Sequence, residues 1–186
     1  MRSHSIYSFL FAGAAAIFGP GMLSAHAGTS SMENAGRAVA IALPVAASGI
    51  AAWKDDWNGV GEIFLVTAAT VGTAYGLKHV VHEDRPDHSD MKSFPSDTSA
   101  LAFAPAQTLW DRYGWTWGVP AYAAAAFVGY SRVDARKHHW WDVAASAGIA
   151  WGYSALITTR YHRNLDMYSG VYATPNGAMF ALDYHF

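Results

Sequence analysis

Residues 131–157 read SRVDARKHHWWDVAASAGIAWGYSALI. The first twelve set two arginines, a lysine, two histidines and two aspartates against two tryptophans. The rest is small and apolar, with no strict alternation. That pattern reads as a helix that is apolar over most of its circumference. The polar cluster then marks one end of a buried helix, and the question is what meets it there.

Outward from this stretch lie four further apolar runs rich in alanine and glycine: 38–53, with Pro44 inside it, 60–77, 100–110 and 117–130. With 143–157 they predict an all-α bundle of about five main helices. Each run is at or below the roughly 20 residues that span a bilayer. A soluble bundle of alanine-rich helices fits those lengths equally well. Trp53, Trp57, Trp110, Trp115 and Trp117 lie at segment ends beside charges, as an interfacial belt would place them. Small residues also suit close packing in lipid. On these grounds the membrane-embedded bundle is the favoured reading.

The two ends differ from the middle. Residues 1–27 resemble an export signal, with Arg2, a short apolar stretch and Ala25-His26-Ala27 as a cleavage site. They imply passage across a bacterial-type inner membrane. Residues 28–34 are small and polar and read as loose. The helical domain spans 28–165. The tail, 166–186, carries a Pro175-Asn176-Gly177 turn between aromatic-rich flanks and predicts a small β-hairpin.

At 186 residues the chain is one domain. A net charge of −2 supplies no basic field for nucleic acid, so any anion binding must come from local clusters. The absence of cysteine removes thiolate and disulfide chemistry.

Three such clusters separate the apolar runs: KHVVHEDRP (78–86), SFPSDTS (93–99) and SRVDARKHHWWD (131–142). In an up-and-down bundle they open on the same side. Lys78 and Arg85 are seven apart, a spacing that returns to one helix face after two turns, while Pro86 biases Arg85 towards extended backbone. Two converging cations suit an anion between them; they also suit a helix C-terminus paired with Glu83 and Asp84. Ser93, Ser96, Asp97, Thr98 and Ser99 precede an apolar run and fit an N-cap, whose free N–H groups also bind phosphate. His138 and Asp142 are four apart, so on a helix the carboxylate can hold one ring nitrogen and leave the other as nucleophile or base. Arg132 adds a guanidinium fork for phosphate oxygens.

Together the clusters resemble the motifs of the type 2 phosphatidic acid phosphatase and vanadium haloperoxidase superfamily. Lys78, six residues, then Arg85-Pro86 resembles the first motif. Phe94-Pro95-Ser96 resembles the start of the second, and Ser131-Arg132, five residues, His138, three residues, Asp142 matches the third. The resemblance implies a phosphatase that needs no metal and no other cofactor. In it His138 attacks phosphorus and becomes a phosphohistidine, and Asp142 orients it. Lys78, Arg85 and Arg132 neutralise the phosphate oxygens, and Ser96 with nearby amides completes the cradle. Phosphoryl transfer asks for little beyond such placement and charge.

The second motif departs from the family pattern. Where members carry Pro-Ser-Gly-His, with the histidine protonating the leaving group, this chain reads PSDTS. Either Asp97-Thr98 replaces Gly-His or the histidine is deleted. Three consequences compete. In the first, the substrate is a diphosphate, whose leaving phosphate needs no proton. In the second, another group supplies the acid: Asp97, or one of His79, His82, His88 and His139. Or the protein binds phosphate without turnover. The expected partner is a phosphorylated lipid or a small phosphate substrate, worked on by an exported enzyme of the inner membrane whose site faces the periplasm, or by a periplasmic one. A soluble periplasmic acid phosphatase, a vanadate-dependent haloperoxidase and a non-catalytic relative are the alternatives. Trp140 and Trp141 would either hold a lipid chain or simply pack.

Overall fold

The computed structural model describes residues 29–161, 167–174 and 177–184, with side chains over 31–161. The expected leader lies outside them. Five helices follow in order: α1 (Thr29–Trp53), α2 (Trp57–Leu77), α3 (Asp97–Tyr113), α4 (Trp115–Asp134) and α5 (Trp140–Ile157). Two strands close the chain, β1 (Met167–Thr174) and β2 (Gly177–Tyr184). They pair antiparallel, from Met167 opposite Tyr184 to Thr174 opposite Gly177. The Pro175-Asn176 step lies outside the described residues.

Local chemistry sets the helix ends. Asp56 caps α2 by accepting from the Gly59 N–H at 3.0 Å. Ser96 caps α3 through its hydroxyl, which accepts from the Ser99 N–H at 3.3 Å. Gly114, at φ +82°, turns the chain directly from α3 into α4. α1 starts earlier than the sequence reading allowed: the segment expected to be loose is helical from Thr29. Glu33 pairs with Arg37 one turn on, at 2.8 Å, and ties this first turn to the bundle through Arg132. Pro44 sits inside α1 without ending it.

α3 is the central helix and packs against α1, α2, α4 and α5. Much of the core is alanine: Ala47, Ala51, Ala102, Ala104, Ala106, Ala125 and Ala150 are fully buried. Small side chains bring the helix axes close and leave bulkier residues for the outside. Ile41, Val45, Phe64, Leu65 and Leu156 are more than half exposed. So broad an apolar exterior is costly in water and suits lipid. α1 and α2 are long and apolar enough to cross a membrane by length and composition.

The bundle has two distinct ends. At one, Arg112 at the end of α3 is buried against Asp56, with Nε–Oδ2 at 2.6 Å and Nη2–Oδ1 at 2.5 Å. It also donates to Glu62 and to the Thr159 carbonyl beyond α5. This knot closes the far end. The other end gathers the N-termini of α1, α3 and α5, the C-termini of α2 and α4, and the loop 78–96.

Candidate active site

All three polar clusters meet at that second end. The loop 78–96 is pinned to the α4–α5 turn by the Asp87 N–H on the Arg136 carbonyl (3.1 Å) and by Lys137 Nζ on Asp87 Oδ2 (2.5 Å). The Ser96 N–H reaches the Asp142 carbonyl at 3.3 Å, which joins the start of α3 to the start of α5.

His138 is fully buried and precedes α5, with His139 as the N-cap. It is therefore not one helical turn before Asp142 on a shared face, as the spacing alone suggested. Its Nδ1 lies 2.7 Å from the Ser93 carbonyl oxygen and 3.5 Å from Asp142 Oδ2. A carbonyl can only accept, so Nδ1 carries the proton and Nε2 of the neutral ring holds the lone pair. Asp142 supports this from one step away. Its Oδ2 accepts from the Ser93 hydroxyl at 2.5 Å and from the His139 N–H at 2.8 Å. The segment 93–96 thus orients the imidazole through a backbone oxygen, which a reading of side-chain motifs does not reveal.

A cavity of about 430 Å³ opens beside this ring, lined among others by Arg85, Arg132, His138, Asp97 and Thr98. Arg85 does not sit on the helix of Lys78, because α2 stops at Leu77 and Arg85 lies in the loop. The loop nevertheless brings it to the same cavity. Its Nε is 2.8 Å from Asp90 Oδ1 but out of line for a hydrogen bond. Lys78 caps the end of α2, donates to the Lys92 carbonyl at 2.9 Å and lies 3.7 Å from Asp97 Oδ1. Burial pushes its ammonium below the usual lysine range; Asp97 opposes that and Arg85 reinforces it. Such a lysine gains by meeting a further anion. Arg132 is buried, with Nη1 and Nη2 at 3.2 and 3.3 Å from Glu33 Oε1, and its Nε has no partner among the described residues.

Asp97 Oδ1 is 4.0 Å from His138 Nε2. Asp97 and His138 are the only acid and the only histidine lining the cavity among the described residues. His79 turns to the Tyr75 carbonyl and His88 to Asp84. Ser96 is buried beside the site but does not line the cavity, and its hydroxyl caps α3. Trp140 and Trp141 are more than half exposed; Trp141 stacks on His139 and donates to Glu83 at 2.6 Å.

A second group could in principle hold a cation: ligand atoms of Glu83, His139 and Asp142 lie within 4.8 Å of one another. Each already has a protein partner, Asp142 and Glu83 as above and His139 through Ser93 Oγ at 3.3 Å. The donor set is used for capping and packing. Glu33, Arg37 and the Ser93 carbonyl are the site groups that sequence reasoning missed. Only the Glu33–Arg37 spacing offered a signal.

The family model of the PAP2 superfamily matches residues 59–166. The chain is 33% identical over 130 residues to the lipid A 4'-phosphatase of Helicobacter pylori strain J99, covering 64% of this chain and 66% of that protein. The chain thus spans just under two thirds of that relative's length. Among solved structures it is similar to a transmembrane PAP2-type phosphatidylglycerolphosphate phosphatase from Bacillus subtilis. That likeness has a TM-score of 0.41 and 22% identity, and covers 81% of this chain and 91% of the other.

Proposed function

This chain belongs to the PAP2 superfamily, and from that premise we propose that it is a membrane-embedded phosphatase of lipid phosphates that works through a phosphohistidine and needs no metal. One observation carries the reading: the Ser93 carbonyl fixes the Nδ1 proton of His138, so the Nε2 lone pair is available beside a cavity walled by Arg85 and Arg132.

The steps follow from that geometry. The phosphate enters with its oxygens on Arg85 and Arg132, whose charges offset its own, while Lys78 does not line the cavity and adds its charge from behind Asp97. Nε2 attacks phosphorus, and the bond to the leaving oxygen breaks with its electron pair. The imidazole keeps its Nδ1 proton and becomes cationic, which the Ser93 carbonyl and the Asp142 carboxylate stabilise. Water then attacks phosphorus, and the electron pair returns to Nε2.

The proton for the leaving oxygen is assigned to Asp97. Its carboxyl is the one acid that lines the cavity among the described residues, with Oδ1 4.0 Å from Nε2. That proton passes to the leaving oxygen, and the carboxylate later takes one from the attacking water. The relative's name supports a monoester on a lipid A-type glycolipid as substrate, for which such an acid matters. The PSDTS departure favours a second reading, a lipid diphosphate, whose leaving phosphate needs no proton.

The site lies at the end that holds the N-terminus of α1. If the leader-like residues 1–27 export that end, the site faces the periplasm. The test is phosphate release in detergent with a chelator present, from lipid monoesters and diphosphates in parallel. Asp97→Asn should slow monoester hydrolysis about a hundredfold or more and diphosphate hydrolysis much less. Equal losses on both would remove Asp97 as the acid; loss of all activity on chelation would remove the metal-free mechanism.

A further inference from the structure

We propose that Glu33, on the first turn of α1, is a positioning residue for phosphate capture: it holds Arg132 end-on and leaves the Nε edge of that guanidinium for a phosphate oxygen. The inference rests on the phosphatase reading for its catalytic consequence, but not for its binding consequence.

Arg132 is almost wholly buried, and its two terminal nitrogens share one acceptor, Glu33 Oε1, at 3.2 and 3.3 Å. Its Nε is buried with no partner among the described residues. A buried donor left unpaired is costly, and a guanidinium fork presents Nε and one Nη together to a second oxyanion. Glu33 therefore takes one edge of the fork and leaves the other for a ligand. The carboxylate is itself fixed from its own helix, because Arg37 Nη2 donates to the same Oε1 at 2.8 Å.

The helix crossing explains why Glu33 reaches so far. Gly36, one turn on, lies against Ser131, the neighbour of Arg132. A Cβ built on Gly36 would stand 2.7 Å from the Ser131 Cβ, closer than packed atoms tolerate. Only glycine lets α1 approach α4 this closely.

Two conservative variants separate orientation from charge. Glu33→Gln keeps an acceptor oxygen at the same reach and loses the charge. Glu33→Asp keeps the charge and loses the reach by one methylene. The positioning role predicts kcat within about threefold of wild type for Glu33→Gln and a loss of about tenfold or more for Glu33→Asp, with smaller changes in KM. Inorganic phosphate binding, followed by 31P NMR, should weaken several-fold in Glu33→Asp and not in Glu33→Gln. A helix-stabilising role alone would move melting temperature without this split. Equal behaviour of the two variants, or a larger loss in Glu33→Gln, would overturn the assignment. Wild-type protein that binds phosphate yet hydrolyses no lipid phosphate or diphosphate would remove the phosphatase reading and leave Glu33 to be judged on binding. Wild-type protein that does neither would end both.

Discussion

The imidazole of His138 is held most closely by a backbone oxygen, with its carboxylate neighbour in sequence as a second, longer contact: Nδ1 lies 2.7 Å from the carbonyl of Ser93 and 3.5 Å from Asp142 Oδ2. The tautomer is thus set by the fold of the 93–96 segment, and Asp142 acts as a charge behind it. This division of labour makes the two groups separable by mutation.

Asp142→Asn removes the charge that faces the imidazolium while the Ser93 carbonyl still orients the ring. Activity should fall by about a hundredfold or more, with KM little changed. The Ser93 hydroxyl and His139 N–H both donate to Oδ2, so an asparagine that keeps the oxygen there preserves most of the stability. A fall in melting temperature that accounts for the whole activity loss would assign Asp142 a structural role instead.

The Asp87–Lys137 pair, at 2.5 Å, should make the site end acid-sensitive. Its Lys137 and Ser89 hydrogen bonds hold the Asp87 carboxyl well below the usual carboxylate range. A depressed folded-state pKa contributes stability that is fully present above the unfolded value, about pH 4, and is lost as pH falls towards the folded value. Melting curves between pH 7 and pH 2 should therefore drop below about pH 4. Asp87→Asn should be less stable at neutral pH and show a shallower acid decline. Parallel curves for the two proteins would count against the pair.

How far the sequence reveals this arrangement varies by element. The five helices are legible because each core helix is an apolar run bounded by charged or turn residues, and runs 60–77 and 143–157 stop at the observed helix ends. The start of α1 is not legible, because a polar Thr-Ser-Ser stretch has no hydrophobic period. Its first turns are tied down by Glu33, locally to Arg37 and at long range to Arg132, and the second contact has no signal in the sequence. The three clusters do converge, yet by loops rather than by helix faces: Arg85 arrives on irregular backbone, and His138 sits before its helix. Periodicity has no access to such loops, and no motif of side chains can point to the Ser93 carbonyl.

Gly36→Ala should act at a distance from any chemistry. The added methyl meets Ser131 Cβ at 2.7 Å, so α1 must shift from α4. Such overpacking costs about 1–3 kcal/mol, and activity should fall as Glu33 leaves Arg132. Adding Ser131→Gly should recover part of both. A single variant with unchanged melting and activity would show that α1 moves freely here.

At the far end, Arg112→Ala leaves Asp56 and Glu62 without their buried cation. The expected loss is about 3–5 kcal/mol, read as a large fall in thermal midpoint. Turnover per folded molecule at low temperature should be retained, because the knot lies at the opposite end from His138. A selective loss of turnover with no change in melting would tie this end to catalysis.

The most direct test of the central claim is to trap the covalent intermediate. Rapid alkaline quenching during turnover of a 32P-labelled lipid phosphate, followed by peptide mapping and 31P NMR, reads both the residue and the ring nitrogen. The expected product is an acid-labile, base-stable phosphoryl group on Nε2 of His138, absent in His138→Ala. Phosphate on Nδ1 or on another residue, or undiminished turnover by His138→Ala, would contradict it.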